Sequence, residues 1–327
     1  MRCNKVAYDA VFAFIAPRYS YEGLSDRLLM VFTSKDPAFN TVPLMSELEY
    51  VAGRVIAIAN DNQVLASGSC VRIAPGLYLT AAHVMQDFLH NFGDTEKHCN
   101  FTVWIVHLHA GPVMEIWALD RMWLPGNTDV AVLHAVPYTL ETMNLKGLSC
   151  VGIDLAPPII GSRIFGFGFH SSKGKVSIDG DDRFNIDIWG EPAIAIGEIR
   201  DVHPQSRDSY LLNYPCFQVN ARFDGGMSGG PIFSESGNVC GIISTNVSLH
   251  AQDQECISYG ATLWPIMGMP LDIDMRTGLH CERYSFVDLA KQGVVHIEDV
   301  AAISAKLLSG GPDFSATYNP TTIKRGN

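Results

Sequence analysis

Between about Glu49 and Pro265, apolar positions come in short runs rich in β-branched and aromatic residues, and each run stops at a cluster of Gly, Pro, Asn or Asp. In the first half of this region the runs are Val51–Ala59, Leu77–Thr80, Phe101–His107 and Val130–Val136. In the second half they are Ile159–Phe169, Lys175–Ile188, Ala193–Ile199, Cys216–Asn220, Pro231–Phe233, Gly241–Ser244 and Ser258–Trp264. Short strands at such spacing predict an all-β barrel or sandwich rather than βαβ units. Asp179-Gly180 and Ser236-Gly237-Asn238 supply turn chemistry for hairpin tips. The break at Ala156-Pro157-Pro158 divides the region into halves of similar size, so two barrels fit the layout better than one.

After Pro265 the period changes. Ser285–Lys291 and Ile297–Leu308 have helical spacing, with Ile297, Val300, Ile303 and Leu307 on one stripe. The expected organisation is an N-terminal extension (1–48), a first β-barrel (49–156), a second β-barrel (157–265) and a helical C-terminal tail (266–327). The first 45 residues mix helical and extended patterns and receive no assignment.

Composition narrows the function classes. With 47% hydrophobic and 17% charged residues the chain is too apolar for disorder. A net charge of −11 argues against a nucleic-acid backbone or an anionic membrane as partner. Cys3, Cys70, Cys99, Cys150, Cys216, Cys240, Cys256 and Cys281 are too scattered for a disulfide framework and lack zinc spacing, so they read as separate buried thiols. Asp9 interrupts the apolar run before Ala16, no run has membrane-spanning length, and a cytoplasmic location is expected over secretion. Asn100 and Asn246 begin glycosylation triplets, which without a clear signal sequence read as accidental.

Three segments carry candidate chemistry. In Leu79-Thr80-Ala81-Ala82-His83-Val84 a strand ends in two small residues and then a histidine. Small side chains let backbones crowd beneath the imidazole and hold it at the strand end; taken alone, this reads first as a structural histidine. In Asn127-Thr128-Asp129-Val130-Ala131 an aspartate opens an apolar strand, where its charge needs a partner. A histidine N–H would satisfy it, and so would a turn that the aspartate caps. Asp224-Gly225-Gly226-Met227-Ser228-Gly229-Gly230-Pro231 is more specific. A nucleophilic serine needs an exposed hydroxyl beside backbone N–H groups aimed at a developing oxyanion, and Gly226 permits the backbone shape that turns its own N–H and that of Ser228 together.

Together, Thr80-Ala81-Ala82-His83, Thr128-Asp129-Val130-Ala131-Val132-Leu133 and Gly226-Met227-Ser228-Gly229-Gly230-Pro231 resemble the signature segments of trypsin-like serine proteases, in that family's His, Asp, Ser order. Val239–Ser244 resembles the family's substrate-pairing strand and Gly161–Gly168 the strand opening its second barrel. The resemblance covers about residues 49 to 265 and implies two packed antiparallel six-stranded β-barrels with the active site between them. It implies a serine endopeptidase acting on protein or peptide substrates without a cofactor or metal. His83, Asp129 and Ser228 would form the triad, with an oxyanion hole from Gly226 and Ser228.

The chain also departs from the digestive members. Val84 replaces the cysteine after the histidine and Met227 the aspartate before the serine, so the usual disulfide and that form of zymogen activation are not expected. This pattern is closer to bacterial, Htr-type or intracellular members, although the residues after Pro265 are too few for a PDZ domain. By offset from Ser228, Arg222 falls at the floor of the primary specificity pocket and Gly260 at its wall, which would favour an acidic residue before the cut. Arg222 pointing to solvent and pairing with a surface acid is the competing reading. Ser244, Thr245 and Asn246 would offer backbone groups to an extended peptide.

The alternatives are a protease-like fold that only binds peptides or proteins, and an esterase or acyltransferase using the same triad. A soluble protease needs restraint, so residues 1–45 or the tail are expected to cover the cleft or receive a regulatory protein partner. His107 and His109, with His98 or Cys99 nearby, lack a third metal ligand fixed by spacing, and Asp179-Gly180-Asp181-Asp182 reads as a solvated hairpin tip rather than a calcium loop.

Overall fold

The computed structural model describes residues 48–59, 64–92, 101–108, 114–143, 145, 148–179, 183–246, 257–273, 282–307 and 314–318. The first barrel is built from β1 (Ala52–Ala59), β2 (Val64–Ala74), β3 (Leu77–Ala81), β4 (Phe101–Leu108), β5 (Met114–Trp123) and β6 (Val130–Pro137), closed in the order β1-β2-β3-β6-β5-β4. Strand β3 and the first half of β6 are buried throughout, which is why they read as continuous apolar runs rather than alternating ones. Inside this barrel Arg72 and Glu115 pair at 2.7 Å with both side chains almost wholly buried, and the Trp117 indole N–H donates to the same carboxylate.

The second barrel comprises β7 (Arg163–Asp179), β8 (Arg183–His203), β9 (Cys216–Val219), β10 (Pro231–Phe233), β11 (Val239–Asn246) and β12 (Ser258–Thr262), closed in the order β10-β11-β12-β9-β8-β7. All pairings in both barrels are antiparallel. Three runs were expected between Ile159 and Ile199; instead two long strands pair from Arg163↔Glu198 to Asp179↔Arg183. The polar stretches that looked like chain breaks, around Ser171 and around Glu191, face each other across a bulge between His170 and Lys173 and are absorbed into the ladder. The acidic hairpin tip at 180–182 lies outside the described residues.

The linker and tail knit the barrels together. The Val151 N–H donates to the Arg72 carbonyl, and Ile153 bridges both Val239 and Ile297. The tail is not helical throughout. The expected helix at Ser285–Lys291 is present as Phe286–Lys291, with Ser285 and Asp288 in a reciprocal capping box. The helix expected at Ile297–Leu308 is corrected: Val300–Ala302 is one 3₁₀ turn, and Ile303–Leu307 is strand β15, paired with β16 (Phe314–Tyr318). Ile303, Ala305 and Leu307 also alternate, and the β16 partner beyond the Gly310-Gly311-Pro312 segment selects that period. A further hairpin joins β13 (Leu271–Ile273) to β14 (Glu282–Tyr284).

Among the described residues no helix is long and apolar enough to cross a membrane, and no group of three metal-ligating side chains occurs. His107 is packed instead against Tyr78 and Gly53 and bonds the Glu49 carbonyl; His98, Cys99 and His109 lie outside the described residues. Cys70, Cys150, Cys216 and Cys240 are free, buried thiols, and burial pushes those of Cys70 and Cys150 up to about 12.

Candidate active site

Strand pairing brings the histidine and the aspartate together. Ala81 at the end of β3 lies opposite Val130 at the start of β6, so His83, two residues past β3, and Asp129, one before β6, become neighbours. The helix Ala82–Phe92 starts there, and its first N–H groups lack helical partners. Ala82 N–H donates to the Asp129 carbonyl (3.0 Å) and His83 N–H to Asp129 Oδ1 (2.9 Å). The same carboxylate holds the imidazole, with His83 Nδ1 at 2.9 Å from Oδ2 and 3.1 Å from Oδ1. Asp129 is 6% exposed. Burial by itself disfavours the imidazolium, but the hydrogen bond and charge of Asp129, aided by the charge of Asp87, outweigh it and raise the His83 pKa above its ordinary value.

Ser244 links these residues to the serine. Its hydroxyl donates to Asp129 Oδ2 at 2.5 Å, and its carbonyl accepts from Ser228 Oγ at 3.2 Å. Since the one proton of Ser244 Oγ is committed to Asp129, the Tyr214 hydroxyl at 2.5 Å must donate to Ser244. Burial pushes the Tyr214 phenol up, which keeps that donor protonated. A relay Tyr214 to Ser244 to Asp129 to His83 results. Among the described residues Ser228 Oγ is hydrogen-bonded to Ser244 rather than to His83.

Around Ser228 the backbone forms a donor cradle. Met227 N–H closes a turn onto the Asp224 carbonyl (3.1 Å) with Gly226 at φ +93°, a left-handed conformation that favours glycine. The N–H groups of Met227, Gly229 and Gly230 are all taken up within the protein. Those of Gly226 and Ser228 have no acceptor among the described residues. Ser69 braces this turn from the first barrel: its N–H donates to the Ser228 carbonyl (2.8 Å), and its hydroxyl donates to the Gly226 carbonyl (2.9 Å) and accepts from Phe169 N–H (2.9 Å). Gly229, at φ +87°, lets the barrels approach, since a Cβ there would stand 2.1 Å from the Ser69 carbonyl oxygen and 2.2 Å from Thr80 Oγ1.

A cavity of about 430 Å³ opens beside His83, walled by Pro125, Leu211, Tyr214, Ser244 and Thr245. None of the described tail residues contributes to its lining, and Ile297 of the tail pairs instead with Ile153 of the linker. Residues 1–47 lie outside the described residues. Strand β10 pairs with β11 only as far as Ile242, so at Ser244 and Thr245 that edge of β11 has no partner among the described strands and can take an extended peptide.

The structure brings His83, Asp129, Ser228, Gly226, Ser244 and Thr245 to one place and corrects two expected pocket residues. The Arg222 side chain is 69% exposed and paired outward with Asp224 at 2.6 Å, so it does not form a pocket floor. Gly260 faces the barrel interior, where a Cβ would stand 2.4 Å from Ile232 and 2.7 Å from Phe217. Asn246 turns its side chain onto the Phe223 carbonyl (3.1 Å). Sequence reasoning missed the hydroxyl roles of Ser69, Ser244 and Tyr214. The available signal was a serine inside an otherwise apolar buried strand, at Ser69 in β2 and Ser244 in β11, which demands a partner.

The trypsin-like peptidase domain family matches residues 68–242. No curated protein matches the chain. Solved structures similar to it include Deg5 (15% identity, 70% of this chain and 91% of that one, TM-score 0.47). The active form of the Rv3671c protease from M. tuberculosis is similar at 18% identity over 82% of this chain and 91% of that one, TM-score 0.45. The inactive form of Rv3671c protease is similar at 20% identity over 70% and 92%, TM-score 0.40.

Proposed function

The chain belongs to the trypsin-like peptidase family and is a serine endopeptidase, and from that premise we propose that His83, Asp129 and Ser228 carry its reaction, with the N–H groups of Gly226 and Ser228 receiving the oxyanion. The observation that carries this reading is the position of Ser244, one residue in contact with both the carboxylate that holds His83 and the hydroxyl of Ser228.

In this mechanism the 3.2 Å bond from Ser228 to the Ser244 carbonyl is long for an O–H···O pair, and rotation about Cα–Cβ exchanges it for His83 Nε2. Asp129 fixes the proton on Nδ1, which leaves Nε2 as the base. Ser228 Oγ bonds to the peptide carbonyl carbon while its proton passes to Nε2. The carbonyl electron pair collects on oxygen, where the two free N–H groups stabilise it. Collapse breaks the C–N bond, and the imidazolium hands its proton to the leaving amine. Water then repeats the sequence on the acyl-enzyme, releasing the acid and restoring Ser228.

Fluorophosphonate labelling tests the assignment. Wild-type protein should label, while Ser228→Ala and His83→Ala, folded by circular dichroism, should not. An unlabelled, well-folded wild type would favour the peptide-binding module instead.

A further inference from the structure

A peptide whose scissile carbonyl oxygen sits on the N–H groups of Gly226 and Ser228, and whose backbone follows β11 at Ser244 and Thr245, beyond its pairing with β10, would send the side chain before the cut between residues 223–226 and the end of β11. Two side chains already span that gap. Asn246 Nδ2 donates to the Phe223 carbonyl at 3.1 Å. Phe223 N–H donates to Ser258 Oγ at 3.2 Å. Asn246 and Ser258 are direct partners across β11 and β12, so their side chains share one face, and this pair grips both polar groups of the Phe223 backbone. Ser258 is wholly buried and Phe223 is 2% exposed. The Phe223 ring is wedged against Gly166, where a Cβ would come within 2.6 Å of it, so residue 223 has no room to retreat.

Among the described residues the groups that span the gap are an amide, a hydroxyl and a peptide, none of which neutralises a charge. The nearby Arg222 guanidinium is turned outward onto Asp224. Resting on the catalytic reading above, we propose that the pocket for the residue before the cut ends at the Phe223 clasp, that Asn246 sets its depth, and that the enzyme cleaves after small uncharged residues such as Gly, Ala and Ser. A longer side chain must break a clasp bond and leave a buried backbone group without its partner.

The test uses the full chain and a peptide series that varies only at the residue before the cut, run beside fluorophosphonate labelling. The kcat/KM after Ala should exceed that after Phe, Lys or Glu by at least about tenfold, the discrimination a pocket misfit of this kind supports. Asn246→Gly removes one bar of the clasp and should shrink the Ala-to-Phe ratio by about tenfold. Protein that labels on Ser228 yet cuts as well after Phe, Lys or Glu as after Ala overturns the pocket and leaves the peptidase reading intact. Folded protein that neither labels nor cleaves overturns the triad, and the pocket with it. If Asn246→Gly does not fold, the wild-type profile alone decides.

Discussion

Asp129 does two things with one carboxylate. It accepts the His83 backbone N–H at the helix start, which places the residue, and the Nδ1 proton, which sets the tautomer. Because its field and that of Asp87 raise the His83 pKa, the base form of His83 is lost at a higher pH than for an ordinary histidine. Activity should therefore fall on the acid side with a midpoint above 6.5, the ordinary histidine value. The linkage to stability has the opposite sense. A folded-state pKa above the unfolded one contributes stability that is fully present below the unfolded pKa and is lost as pH rises through the folded one. The enzyme is thus most active where this ion pair stabilises it least. Asp87→Asn should move the acid limb of kcat/KM to lower pH and keep the plateau. Asp129→Asn should also move it down, but with a loss of about 10⁴ in turnover, the size established for this substitution within the same triad arrangement. A pH–rate series on the three proteins separates the two effects.

At the scale of elements, the proposed catalytic turn 224–230 is a guest of the first barrel as much as a part of the second. Ser69 in β2 supplies two of its anchoring bonds and is itself held by the Phe169 N–H. Ser69→Ala would strand the buried Phe169 N–H and release the Gly226 carbonyl. The expected result is a loss of about 1–3 kcal/mol in unfolding free energy together with a lower kcat, read by urea titration and steady-state kinetics. Retained kcat with lowered stability would mean that Ser69 supports the fold and not the turn. Such contacts are where the sequence fell silent. The strand runs and the turns between them were legible because burial and turn chemistry leave local marks, and the proposed site residues His83, Asp129 and Ser228 stood out for the same reason. Arg222 was misplaced because an offset from Ser228 says nothing about side-chain direction, and Asp224, two residues on, draws the guanidinium outward. Ile297–Leu308 was misread because its apolar positions satisfy helical and strand periods alike, and only the distant β16 segment chooses between them.

At the scale of the whole molecule, the tail is a structural part of the peptidase. Its Leu271, Phe286, Val287, Leu289, Val295 and Ile297 belong to the same buried cluster as Val71, Leu79 and Val132 of the first barrel and Phe165, Val239 and Ile242 of the second. Ile153 of the linker is bridged on one side by the tail and on the other by β11, so this seam lies behind the strand that carries Ser244. Removing a fully buried ring from that seam should therefore weaken the catalytic barrels themselves. Phe286 is 0% exposed, and Phe286→Ala should destabilise the protein by about 3–5 kcal/mol. Heating the variant while following both β-sheet circular dichroism and fluorophosphonate labelling of Ser228 gives the decisive comparison. A shared core requires the two signals to fall together, at a midpoint lower than in wild type. Labelling that persists to the wild-type temperature, after part of the dichroism has gone, would mean that the tail unfolds as a separate unit and that the barrels stand without it.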